Sequence, residues 1–95
     1  MRTLVYSEEA IKGLERIAAY ISAEFSQARA LKYLTDLSTV LEGLTMLPAS
    51  YPIADKAKDP ALRKLTFQKL TVVLYTFDNT SVYIEAVLDA RSKWQ

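Results

Sequence analysis

The sequence predicts a two-layer α+β domain in the order β-α-α-β-β-β, with a helical hairpin packed on an antiparallel sheet. Three observations carry that expectation. Apolar residues in the first half recur at steps of three and four, the helical spacing. From Leu62 the step becomes two, the strand spacing. The chain of 95 residues is long enough for one core and too short for two, so residues 1–95 read as a single domain.

Thr3-Leu4-Val5-Tyr6 is β-prone and bounded by polar residues, which predicts a first strand. Ser7 suits the cap of a helix, and Glu8 and Glu9 place carboxylates in its first turn, where the helix dipole favours anions. Ile11, Leu14, Ala18, Ile21 and Phe25 then predict the buried stripe of that helix. Ser26 caps a second helix whose stripe is Ala30, Leu34, Leu37, Leu41 and Leu44. The join at Phe25-Ser26 is so short that the helices must fold back as an antiparallel hairpin. Pro48 ends the second helix.

Residues 48–60 hold Pro48, Pro52 and Pro60 together with alternating charges, and read as a surface loop of about thirteen residues. A strand follows from Leu62. Leu70 to Phe77 is β-branched and aromatic on both faces, as a central strand requires. Asp78-Asn79-Thr80 is a turn, and Ser81 to Asp89 alternates as the last strand. The first strand is expected to pair with the last, since it has no other place in the sheet.

Composition closes off whole classes of chemistry. The chain has no histidine and no cysteine. That removes histidine-based triads, thiol nucleophiles and nearly every zinc site. Asp55 and Asp59 are interleaved with Lys56 and Lys58, which is not the spacing of a carboxylate metal site. No cofactor and no metal are expected. A net charge of +1 argues against a general nucleic-acid binder but does not exclude a local basic patch, and no sequence-specific nucleic-acid contact is expected. No apolar run approaches a membrane span, and the start lacks a signal peptide's apolar stretch, so a cytoplasmic location is expected. The charge is unevenly placed: residues 1–47 carry five bases and six acids, and residues 61–95 carry five bases and three acids.

Taken in order, several stretches resemble the RelE/ParE toxin superfamily of type II toxin–antitoxin systems. They are Tyr6-Ser7-Glu8-Glu9-Ala10, Leu14-x-x-Ile17-x-x-Tyr20-Ile21, Ala28-x-Ala30 and Leu41-x-x-Leu44 with Pro48. Leu62-Arg63-x-Leu65, Val73-x-Tyr75, Val82-x-Ile84-x-x-Val87 and Arg91 follow. The resemblance covers almost the whole chain and rests on the ordered set rather than on one motif. It implies one of two activities, ribosome-dependent mRNA cleavage in RelE-like members or poisoning of DNA gyrase in ParE-like members. In both, a cognate antitoxin neutralises the toxin.

Cleavage requires a base for the 2′-hydroxyl and cations for the phosphate. The arginine usual in the superfamily three residues before the central-strand tyrosine is Val72 here, and the histidine common near the end is Asp89. Arg63 and Arg91 remain as the candidates if the chain is a ribonuclease. The ParE-like reading needs no catalytic residue and is favoured. A decayed, non-toxic module that only binds antitoxin is a third reading.

Arg63, Lys64, Lys69, Arg91, Lys93 and Trp94 are the candidate target-binding residues, on the mildly basic half of the chain. Their structural alternatives are strand-edge lysines, a tryptophan lid on the core, and arginines paired with Asp78, Glu85 or Asp89. Tyr20, Tyr33 and Tyr51 are candidates for the antitoxin groove, where amphipathic rings suit an interface. Their alternative is semi-buried packing.

Overall fold

The computed structural model describes residues 1–55 and 58–91. The elements are β1 (Thr3–Tyr6), α1 (Glu8–Glu24), α2 (Gln27–Gly43), a 3₁₀ turn at Pro48–Ser50, β2 (Ile53–Asp55), β3 (Asp59–Phe67), β4 (Thr71–Phe77) and β5 (Ser81–Asp89). Both helices begin as the sequence predicts. Ser7 Oγ accepts the backbone N–H of Ala10 at 2.9 Å, and Ser26 Oγ accepts that of Arg29 at 3.0 Å. Ser7 also ties α1 to the sheet, because its hydroxyl donates to the Glu85 carbonyl at 2.7 Å.

The five strands lie in the order β1-β5-β4-β3-β2, with β4 at the centre. The two-layer α+β arrangement, a first strand, a helical hairpin and then the remaining strands, is the expected one, and two details differ: one strand more than expected and a mixed rather than wholly antiparallel sheet. The proline-rich stretch is not one loop: it forms the 3₁₀ turn and the strand β2, which pairs with β3. The first strand does pair with the last, but in parallel, Leu4 opposite Val82 and Tyr6 opposite Ile84. The sheet is therefore mixed. The two differences share one cause. The short strand β2 adds one reversal of chain direction between α2 and β5, and that reversal turns β5 parallel to β1.

The helices cover one face of the sheet. The core between the layers includes Ile17, Ile21, Leu37, Leu41, Leu65, Val73, Tyr75, Val82, Ile84 and Val87. The buried positions of α1 are Ala10, Gly13, Ile17 and Ile21, so Ile11 and Phe25 of the expected stripe face outward, 46% and 59% exposed. The reason is at Gly13. A Cβ there would stand 1.9 Å from the carbonyl oxygen of Val87. The helix meets β5 backbone to backbone at this point, which turns the face carrying Ala10, Gly13, Ile17 and Ile21 inward and leaves Ile11 outside, while Phe25 lies past the last turn as the C-cap.

Buried polar groups in the core are paired. The hydroxyls of Tyr33 and Thr71 lie 2.6 Å apart, and Tyr75 donates to the Pro48 carbonyl at 2.6 Å. That last bond anchors the 3₁₀ turn to the central strand. Gln68 and Lys69 turn the chain from β3 to β4 with φ of 49° and 60°, and the Leu70 N–H donates to the Phe67 carbonyl at 3.1 Å. Among the described residues no helix is long and apolar enough to cross a membrane.

Candidate functional site

Phe77 ends the central strand and holds a cationic cluster. Arg63 belongs to β3 and faces the same side of the sheet as Tyr75, its register partner. Its guanidinium carbon lies 5.7 Å from the Phe77 ring centroid. Its Nη1 donates to the Tyr51 carbonyl at 2.6 Å and, at 3.4 Å, to that of Ala49. The 3₁₀ turn thus places Arg63 through main-chain acceptors and not through an acid. Arg2, just before β1, approaches the same ring at 5.5 Å and donates from Nε to the Asp78 carbonyl at 2.6 Å. Its own backbone N–H is fixed by the Thr45 carbonyl at 3.1 Å.

Asp78 closes the β4–β5 turn. Its carboxylate accepts the backbone N–H groups of Thr80 and Ser81 at 2.8 and 2.9 Å and the Tyr83 hydroxyl at 2.9 Å. These bonds, led by Thr80 and Ser81, pull its pKa down from the ordinary 3.8 to about 2. Tyr75 behaves oppositely. Burial pushes its pKa up, against a lowering pull from Arg63.

The opposite end of β4 carries a different group. Arg91 donates to both carboxylate oxygens of Asp89, from Nε at 3.0 Å and from Nη2 at 2.7 Å, and lies 4.5 Å over the Tyr20 ring. The Asp89 pKa is lowered chiefly by that arginine, and the guanidinium is held charged by Asp89 first and Tyr20 second. Asp89 opposes Thr71, the first residue of β4. Arg63 and Arg91 thus stand at opposite ends of the central strand and do not form one rim. Arg91 takes one of the acid partners named as its alternative, and Arg63 takes none of them.

The remaining sequence candidates are dispersed. Lys64 follows Arg63 and so faces the other side of the sheet, beside Leu62 and Leu74 on a groove of about 270 Å³. Lys69 is exposed in the β3–β4 turn, near the Arg91 end. Lys93 and Trp94 lie outside the described residues.

The three tyrosines do not share a groove. Tyr33 is only 9% exposed and walls a cavity of about 420 Å³ with Ile21, Phe25, Arg29, Lys32 and Leu70. Tyr20 lines a smaller one of about 140 Å³ with Gly13 and Val87. Tyr51 packs against the core at the Arg63 end. Sequence reasoning missed Arg2 and Phe77. Their only signal is position, next to the first strand and at the end of the central one.

Among the described residues no group of three or more acids could hold a metal ion. The Arg–Phe–Arg cluster presents fixed positive charge and hydrogen-bond donors.

Comparison with known proteins agrees with this architecture. The family model described as "ParE toxin of type II toxin-antitoxin system, parDE" matches residues 4–94. No curated protein sequence matches significantly. Among solved structures, a chain of the chromosomal ParDE toxin–antitoxin system from P. aeruginosa superposes with a TM-score of 0.79 at 16% identity. The match covers 96% of this chain and 98% of that one. A chain of the E. coli DinJ–YafQ complex matches at 0.58 and 17% identity, with both chains covered in full. At these identities the likeness is one of fold.

Proposed function

The chain belongs to the ParE toxin family of type II toxin–antitoxin systems, and from that membership we propose a toxin that inhibits DNA gyrase by binding and is neutralised by a cognate antitoxin. The observation that favours binding over cleavage is the separation of the two arginines. Cutting RNA by way of its 2′-hydroxyl needs a base and a phosphate-binding cation in one place. Arg63 and Arg91 are at opposite ends of β4, and Arg91 is already engaged by Asp89. Tyr75, opposite Arg63, is kept protonated by burial and spends its proton on the Pro48 carbonyl. A tyrosine in that state is a poor acceptor at neutral pH.

The antitoxin is proposed to lie along the helical face. Phe25 and Leu31 are 59% and 69% exposed there, and the cavity walled by Tyr33 opens beside Phe25. Exposed apolar surface of this kind suits a partner. With these partners, the proposed site of action is the cytoplasm.

A supercoiling assay with purified chain tests the reading. Micromolar chain is expected to block supercoiling by gyrase and to accumulate cleaved DNA, and the antitoxin from the neighbouring reading frame is expected to restore activity. Unimpaired supercoiling counts against gyrase as the target. Cleavage of translated message that is lost in Arg63→Ala or Arg91→Ala replaces the reading with a ribonuclease. Expression without growth arrest leaves only an antitoxin-binding module.

A further inference from the structure

Arg2 and Arg63 come from distant parts of the chain and meet on one ring. Their guanidinium carbons lie 5.5 and 5.7 Å from the Phe77 centroid. Among the described residues the ion pairs are Lys32–Asp36 and Arg91–Asp89, so neither of these arginines is neutralised by a carboxylate. The nearest opportunity is Asp78, and it is declined. Arg2 takes the main-chain carbonyl of Asp78 while the carboxylate accepts from Thr80, Ser81 and Tyr83. The Asp78 carboxylate offsets part of the local field but occupies none of the guanidinium donors.

Each fork is also aimed. Arg2 is anchored through Nε and Arg63 through Nη1, both at 2.6 Å on main-chain oxygens. A guanidinium has five N–H donors; both Nη groups of Arg2, and Nε and Nη2 of Arg63, donate to none of the described residues and remain for a ligand. Like charges gathered on a half-buried ring repel, and an anion between them removes that cost. Guanidinium forks engage phosphate oxygens two at a time.

We propose that Arg2, Arg63 and Phe77 form a phosphate-binding site that grips the backbone of a nucleic acid without reading its bases. An exposed apolar patch of Met1, Met46 and Leu47 adjoins Arg2 through Thr45, whereas the surface over Phe77 itself offers charge and N–H donors that no carboxylate occupies. A repeating anionic backbone suits that surface better than a peptide does. The site goes beyond the gyrase reading, because the backbone contact is independent of the protein target.

The test is the salt dependence of duplex binding. Fluorescence anisotropy of a short labelled DNA duplex is titrated with full chain over a range of salt. Wild type is expected to bind, with the slope of log affinity on log salt reduced by about 0.9 in Arg2→Gln, about 0.9 in Arg63→Gln and about 1.8 in the double variant. Arg2→Lys is expected to keep the slope and weaken binding. Wild-type chain that binds no duplex at low salt overturns the proposal, as does a double variant with the wild-type slope. Displacement of the duplex by polyglutamate at lower charge concentration than by polyphosphate assigns the cluster to an acidic protein and also overturns it.

Should loss of the Tyr51 contact unfold Arg63→Gln, a second measurement stands in. Arginine Nε resonances of the wild-type chain are followed while inorganic phosphate is added. Shifts at Arg2 and Arg63 but not at Arg16 are expected, and no shift at the pair overturns the site. Neither gyrase nor antitoxin enters these experiments, so this site and the gyrase reading fail separately.

Discussion

The two glycines of the chain answer to opposite demands. Gly13 is the point where α1 meets the backbone of β5, and an added methyl would fall 1.9 Å from the Val87 carbonyl oxygen. Gly13→Ala must push helix and strand apart, and a loss of about 3 kcal/mol or more is expected by denaturant unfolding. Gly43 ends α2 with nothing within 4 Å of the added atom. Gly43→Ala is expected to gain about 0.5–1 kcal/mol in the same assay, from helix propensity alone. Acid response belongs to this scale too. The folded pKa of Asp78 is about 2, below its ordinary 3.8. Its contribution is therefore complete above pH 4 and lost as pH falls through 2. Thermal melts should show a loss of stability across that window that is smaller in Asp78→Asn, modest in size because the carboxylate is exposed and screened by solvent. An unchanged acid limb in that variant would remove Asp78 from the account. At residue scale the caps Ser7 and Ser26 were legible in the sequence, because capping is local. The hydroxyl partner of Tyr33 was not, because Thr71 is thirty-eight positions away.

At the scale of elements, long periodic segments were readable and short exceptions were not. Both helices and the three longer strands follow from spacing. The strand β2 does not, since three residues between prolines carry no period, and only pairing to Arg63 makes them a strand. The β3–β4 turn was equally silent. Gln68 and Lys69 adopt the left-handed backbone that tight hairpins favour, without the Asn-Gly that usually marks it. Each left-handed residue of this kind costs on the order of 1 kcal/mol. The double replacement Gln68→Asn with Lys69→Gly is therefore expected to raise the unfolding midpoint by about 1 kcal/mol of stability. A lowered midpoint would mean that the two side chains contribute more than their backbone costs. The same turn adjoins Leu70, whose carbonyl accepts the Ala90 N–H at 2.6 Å, so stiffening it also steadies the end of β5.

For the whole molecule, charge and topology matter more than any single contact. The near-neutral total hides bases that the fold distributes differently, Arg91 against its own acid and Arg2 with Arg63 against a ring. Sequence charge counting found the basic half of the chain but not the meeting with Arg2, which depends on β1 lying beside β5. That pairing joins Thr3 to Ser81. A chain stopped after Thr80 leaves β1 without its neighbour and α1 without the strand it packs on most closely. Such a fragment is expected to show helix by circular dichroism but no cooperative melt, and a cooperative melt would show that the remaining layers fold without β5. The parallel strand also sets a clock. Synthesis runs at about 5–20 residues per second, so β1 waits roughly 4–16 s on the ribosome before its partner has been made. The helical hairpin, built from neighbours in sequence, is ready long before the sheet is closed. A surface on the hairpin is therefore open to capture while the rest of the molecule is still being born.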